Sequence, residues 1–132
     1  PVRIYYEDTD CGGAVYYANY LKYFERGRTE LLRELGISLA GYHANGTVFV
    51  VTSVEARYIA PLKYDDLVIV ETKPSGLSGA TMTFVHTIKK DGSDEICVRG
   101  TVTVASVGAQ GRPLRVPAEI KRVLQMVLQT TG

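Results

Sequence analysis

YYEDTDCGGAVYYANYLKYFERGRTE, residues Tyr5 to Glu30, decides how the rest of this chain is read. It overlaps a short alternating segment, Val2 to Tyr6, in which Val2, Ile4 and Tyr6 share one face of an expected first strand. Two acids follow, Asp8 and Asp10, in a loop from Glu7 to Gly13 that also holds Cys11 and Gly12. A helical pattern then starts between Tyr17 and Tyr20 and runs to about Leu35. Leu21, Phe24, Leu31 and Leu35 make its apolar stripe, Arg26 and Glu30 an i,i+4 pair on its wet side, and Gly36 its stop. Asn19 is of N-cap type. Gly27 sits mid-helix, where it costs about 1 kcal/mol against Ala, and this points to a helix backbone pressed close to a sheet. An acid at the mouth of a helix N-terminus is chemically useful. Unpaired N–H groups and the helix dipole can hold a developing oxyanion while the carboxylate attacks or takes a proton.

Beyond Thr47 the chain reads as strands. Thr47 to Ile59 is rich in β-branched residues and is ended by Pro61. Leu67 to Lys73 follows a Lys63–Asp66 turn, and the stretch Pro74 to Gly79 is read as connection. Between Ala80 and Lys90, Met82, Phe84, His86 and Ile88 alternate with Thr81, Thr83, Val85 and Thr87. Asp91-Gly92 signals a hairpin, Glu95 to Val107 returns, and an amphipathic helix runs from Pro117, at N1, to about Leu128. One long helix followed by four strands does not alternate as a parallel α/β fold requires. The expectation is one α+β domain over residues 1–132, a curved antiparallel sheet wrapped around the helix.

Composition narrows the function classes. With 132 residues, 45% hydrophobic content and a net charge of +1, the chain can form one compact core and offers no electrostatic case for nucleic acid. No run approaches the ~20 apolar residues of a membrane span. No signal peptide is read at the N-terminus, and opening on Pro1 rather than Met points to a short piece missing before it. Two cysteines, Cys11 and Cys97, give neither a disulfide framework nor zinc spacing, so a reducing cytoplasm is expected.

The quoted stretch resembles the signature of the hotdog-fold acyl-CoA thioesterases of the 4-hydroxybenzoyl-CoA thioesterase-like family, closest to its bacterial Tol-Pal-associated branch. The residues that carry the likeness are YYEDTD at Tyr5 to Asp10, Gly13, VYYANY at Val15 to Tyr20, and ER-RTE at Glu25 to Glu30. The resemblance continues more loosely to about residue 110. It implies that Asp10 is nucleophile or general base on a thioester, and that the main-chain N–H of Tyr17, at a helix start nearer Tyr17, polarises the carbonyl. Gly13 and Glu25 are implied to lie against substrate, Glu25 where related enzymes place an acid near the acyl ring. No metal or redox cofactor is implied. The substrate would be an acyl thioester of CoA or acyl carrier protein, and the sites would lie between subunits of a homodimer or homotetramer. Related sequences can carry His at the Tyr17 position; a phenol with a pKa near 10 is a poor base near neutrality, which favours the main-chain role.

The same residues admit other readings. Asp10 could simply cap the following turn. Asp8 reads as a structural loop acid. An extended Asp8-x-Asp10 pair would also suit Mg²⁺ in a haloacid-dehalogenase-type phosphotransferase, but no βαβ units follow. A Cys11 nucleophile has no signature pairing with His43 or His86. His43 lies in a polar loop; His86, on an otherwise apolar strand face, reads as a satisfied core or interface histidine. The histidine motif of hotdog dehydratases is absent. Glu25 is equally a plain helix-surface residue. No Lys or Arg stands in Pro74–Gly79 to hold CoA phosphates, leaving backbone N–H groups, a neighbouring subunit or a protein carrier. A non-catalytic acyl-CoA or acyl-carrier-protein binding module is the rival function.

Overall fold

The structure, a computed structural model, describes residues 1–5, 7 and 19–131, the side chains of Ala109, Thr130 and Thr131 excepted. In chain order the elements are β1 (Val2–Arg3), α1 (Tyr20–Glu34), α2 (Leu39–Ala44), β2 (Val48–Tyr58), β3 (Leu67–Ser78), β4 (Thr81–Lys90), β5 (Ile96–Val107) and α3 (Ala118–Thr131). The strands make one antiparallel sheet in the order β1-β3-β4-β5-β2. This is the expected α+β arrangement, with one sheet curled around one long helix.

β4 shows most directly how the sequence builds the core. Met82, Phe84, His86 and Ile88 are buried, and the residues between them are half-buried. Cross-strand partners on β5 supply Val98, Val102 and Val104, and α1 inserts Tyr23, Phe24 and Leu32 from above. Each such side chain contributes roughly 1.5–3 kcal/mol when fully buried. α3 adds Ile120 and Leu124 to the same cluster.

Two close approaches fix how α1 sits on the sheet. A Cβ on Gly27 would overlap Thr72 Oγ1 of β3 and lie 3.1 Å from Val70 Cγ1. A Cβ on Gly100 of β5 would overlap the Phe24 ring, 2.6 Å from Cζ. Thus Gly27 lets the helix backbone settle on β3, as its mid-helix position implied, while Gly100 makes room for Phe24.

Several elements differ from the sequence reading. The buried face of α1 is Tyr20, Tyr23, Phe24 and Leu32, with Leu31 and Leu35 half-buried; Leu21 is 42% exposed. The true stripe is rotated because the aromatic rings of Tyr20 and Tyr23 are buried, Tyr20 against Tyr58 of β2 and Tyr23 beside Tyr20. Glu30 pairs with Arg33, one turn on, and not with Arg26, whose guanidinium lies 5.7 Å from the Tyr23 ring centroid. Gly36, with φ +85°, stops the helix as read. Residues 39–44 form a short helix, capped by Ser38 Oγ accepting from Gly41 N (3.2 Å), and not a polar loop. β3 continues through Pro74 to Ser78, because a register shift between Pro74 and Gly76 absorbs the proline. Tyr6, read as the end of the first strand, lies outside the described residues; β1 pairs only with Leu67 and Val68.

Candidate active site

α1 begins at Tyr20 after Asn19, which stands at the N-cap in helical φ, ψ (−72°, −19°). No acidic side chain occupies its first turn, so the positive end of its dipole is not offset by its own residues. Around that end Tyr20 packs edge-on to Tyr23 and against Tyr58 of β2, with ring centroids 6.2 and 5.3 Å apart. Burial raises the Tyr20 phenol above its ordinary pKa, with a backbone hydrogen bond at Leu62 working the other way. Asp8, Asp10, Cys11, Gly12, Gly13 and Tyr17 lie outside the described residues. Of the residues expected at the site, Glu25 alone is described.

Glu25 is exposed on α1, beside two small cavities that follow one another along the helix. The first, about 200 Å³, lies between Leu21, Phe24 and Arg28 of α1 and Val51, Val54 and Val102 of the sheet. The second, about 220 Å³, continues toward Leu32, Leu39, Phe49, Met82 and Phe84. Both share Glu25, Arg28 and Val51. Together they make a largely apolar groove running from the first turn of α1 toward its C-terminal half. A larger hollow, about 720 Å³, is on the other flank of α1 against β1 and β3, where Arg3, Arg26 and Glu30 line it. Four charged side chains, Arg3, Arg26, Glu30 and Glu34, share its walls with Val2, Leu31, Ile69 and Val70, and the smaller groove is the more apolar of the two.

A partly buried polar chain centred on His86 runs from Arg28, which both cavities share, to Thr72, and the sequence reading did not anticipate it. Arg28 donates from Nη1 to His86 Nε2 at 3.2 Å. Because Nε2 accepts, the neutral ring carries its proton on Nδ1, which donates to Thr72 Oγ1 at 2.9 Å. His86 has no exposed surface and stacks on Phe24, centroids 4.7 Å apart and planes 10° apart. Burial, then the Arg28 charge, pushes its pKa down to about 3, so it is uncharged at neutral pH. It is the satisfied core histidine that its place on an apolar strand face suggested. Arg28 is half-buried; desolvation lowers its pKa and Glu25 opposes that shift. Among the described residues no carboxylate lies within ion-pair distance of Arg28. The only sequence signals were Gly27 and a histidine in an apolar alternation, and nothing in the sequence linked them across nearly sixty residues. His43, in the last turn of α2, is exposed as expected.

A five-stranded antiparallel sheet curled over one long helix, with a groove beside that helix, is the hotdog fold. A DHNA-CoA thioesterase from Staphylococcus aureus shares it with a TM-score of 0.92 at 22% identity, over 98% of this chain and 89% of that one. A hypothetical protein from Aquifex aeolicus does so with a TM-score of 0.86 at 30% identity, over 93% and 95%. Residues 5–124 match the thioesterase-like superfamily, to which this chain belongs. The acyl-CoA thioesterase YbgC of Haemophilus influenzae is 41% identical over 123 residues, covering 92% of this chain and 89% of the relative.

Proposed function

We propose that this chain hydrolyses acyl-CoA thioesters to free acid and CoA. The observation that carries the reading is the 41% identity to an acyl-CoA thioesterase over nearly the whole chain. The apolar groove beginning at the first turn of α1 supports it, because a hydrocarbon tail needs an apolar channel leading away from the carbonyl. Asp10 acts on the thioester carbon, either attacking it or removing a proton from the attacking water. The N–H of Tyr17 donates to the carbonyl oxygen as negative charge develops there, aided by the N-terminal dipole of α1, whose first turn holds no acidic residue. Gly13 lets the backbone approach the substrate, and Glu25 lies beside the acyl group. The CoA thiolate leaves; where Asp10 has attacked, water then opens the acyl–Asp10 anhydride and regenerates the carboxylate, and in either case the free acid departs through the groove. The carrier is CoA or an acyl carrier protein, and no metal or redox cofactor takes part.

The protein works as a homodimer, or as dimers paired into a tetramer, with active sites between subunits. β2 supports this. It is eleven residues long, ends the sheet, and exposes Val50, Val51, Val54 and Tyr58, followed by Ile59, at 38–54%. A long apolar edge strand in water invites another strand, and a second β2 is the complementary one. The enzyme operates in the cytoplasm, which suits the free, buried Cys97 thiol. A thiol-release assay with acyl-CoAs of graded chain length tests the proposal. Turnover of at least one acyl-CoA with saturation in the micromolar range is expected. Tight binding of acyl-CoA with no release of CoA above background would instead establish a binding module.

A further inference from the structure

We infer that Arg28, held in place by His86 and Thr72, is a gate that sets the length of acyl chain this protein accepts. The inference rests on the thioester-hydrolase reading above and names the substrate class within it: short and medium chains rather than long ones.

The geometry divides the groove in two. The cavity nearest the helix N-terminus has about 200 Å³ and the one beyond it about 220 Å³. An apolar cavity of ~150 Å³ takes a benzene-sized guest, so each compartment suits a group of roughly six carbons. The residues common to both are Glu25, Arg28 and Val51, which places half-buried Arg28 where the two compartments meet. A chain ending in the first compartment leaves that cation its remaining water. A chain entering the second must lie along it, stripping water from N–H groups while offering no acceptor in return.

The gate does not swing aside freely. Arg28 Nη1 is tied to His86 Nε2, and His86 is itself held by two further contacts. Thr72 accepts from its Nδ1, Phe24 stacks on its face, and the backbone of Gly27 presses on Thr72. Thr72 is β-branched and stiff at χ1, so the chain from sheet to guanidinium has little slack. The second compartment, walled by Leu32, Leu39, Phe49, Met82 and Phe84, is otherwise well suited to hydrocarbon. The polar obstacle at its entrance, and not its volume, is what excludes a longer tail.

The test is a chain-length profile of kcat/KM from butanoyl-CoA to hexadecanoyl-CoA for the wild type, Arg28→Met, Arg28→Lys and His86→Gln. The wild type should peak at or below octanoyl and fall by at least about tenfold at dodecanoyl, as expected for a desolvated, unpaired donor. Arg28→Met keeps the apolar stem and removes the charge; it should move the optimum to about dodecanoyl, the length that fills both compartments. Arg28→Lys, still cationic but without the fork, should keep the short-chain optimum with a shallower fall. His86→Gln, which can still accept from Arg28, should keep the wild-type profile. The readout is the ratio of dodecanoyl to hexanoyl within each variant, which a loss of folded protein does not move. A wild-type profile that is flat or rises to hexadecanoyl overturns the gate, and so does an unchanged ratio in Arg28→Met. If no acyl-CoA is turned over, the hydrolase reading fails on its own. The same ratios taken from calorimetric binding of acyl-CoAs then decide the gate: a reversal in Arg28→Met supports it, and equal ratios overturn it.

Discussion

Gly27→Ala tests whether α1 is seated on the sheet as described. On a solvent-facing helix position this change stabilises by about 1 kcal/mol through helix propensity. Here the added methyl would overlap Thr72 Oγ1 and crowd Val70 Cγ1 at 3.1 Å and His86 Nδ1 at 3.6 Å. Thr72 cannot rotate away cheaply, since its hydroxyl accepts the His86 proton and its χ1 is stiff. Overpacking against such a wall costs typically 1–3 kcal/mol, and the rigidity argues for the upper half. Subtracting the propensity gain leaves a net loss of about 1–2 kcal/mol, or roughly 3–5 °C in Tm per kcal/mol for a domain of this size. Urea and thermal unfolding at fixed protomer concentration measure it. Thr72→Ala alone should cost about 1–3 kcal/mol, because it strands the buried Nδ1–H of His86. The double variant should cost at least about 1 kcal/mol less than the sum, since the alanine methyl then has space. A stabilised Gly27→Ala, or strict additivity with Thr72→Ala, would refute the seating.

Other consequences follow from the same contacts. His86 stays neutral in the fold down to about pH 3, whereas an unfolded histidine charges near pH 6.5. Between those values the unfolded chain binds the extra proton, so stability is constant above about pH 6.5 and falls as pH drops below it, by up to about 1.4 kcal/mol per pH unit. His86→Gln should flatten that limb in denaturant titrations between pH 6.5 and 4. If the N–H of Tyr17 is the oxyanion donor, Tyr17→Phe should keep kcat within about tenfold, whereas loss of a true donor costs ~10²–10³; steady-state kinetics decide. Val50→Lys on β2 sets like charges at a two-fold strand pair, a juxtaposition worth several kcal/mol, and light scattering should show monomer at concentrations where the wild type is a dimer.

Much of the fold was legible because burial imposed a period. β4 alternates so regularly that its inward residues, His86 included, could be assigned from the sequence. Gly27 made sense only as a close approach, and the structure places β3 there. What escaped was decided by neighbours distant in the chain. Tyr20 and Tyr23 are buried because Tyr58 and the sheet cover them, which turned the apolar stripe of α1 and left Leu21 facing the groove. The six-residue helix at 39–44 is too short for a periodicity signal and relies on the Ser38 cap. Pro74 read as a strand end, yet it lies past the two residues that β1 pairs on that edge, where a missing N–H costs little. Arg28 was visible only as one letter of a motif. Its meaning came from the meeting of α1, β3 and β4 around His86. Asp10 and Tyr17 were named through resemblance to a family signature.

The most direct test of the central claim is single-turnover and steady-state hydrolysis of the best acyl-CoA by Asp10→Asn, with binding of the same substrate measured by calorimetry. Asn is nearly isosteric but can neither attack as a carboxylate nor take a proton from water. General-base assistance alone is worth about 10²–10⁴-fold, and a lost nucleophile can cost more. The account predicts a fall of at least about 10² in kcat with Kd changed little, while Asp8→Asn and Cys11→Ala stay within about tenfold. Near-wild-type turnover by Asp10→Asn would contradict it.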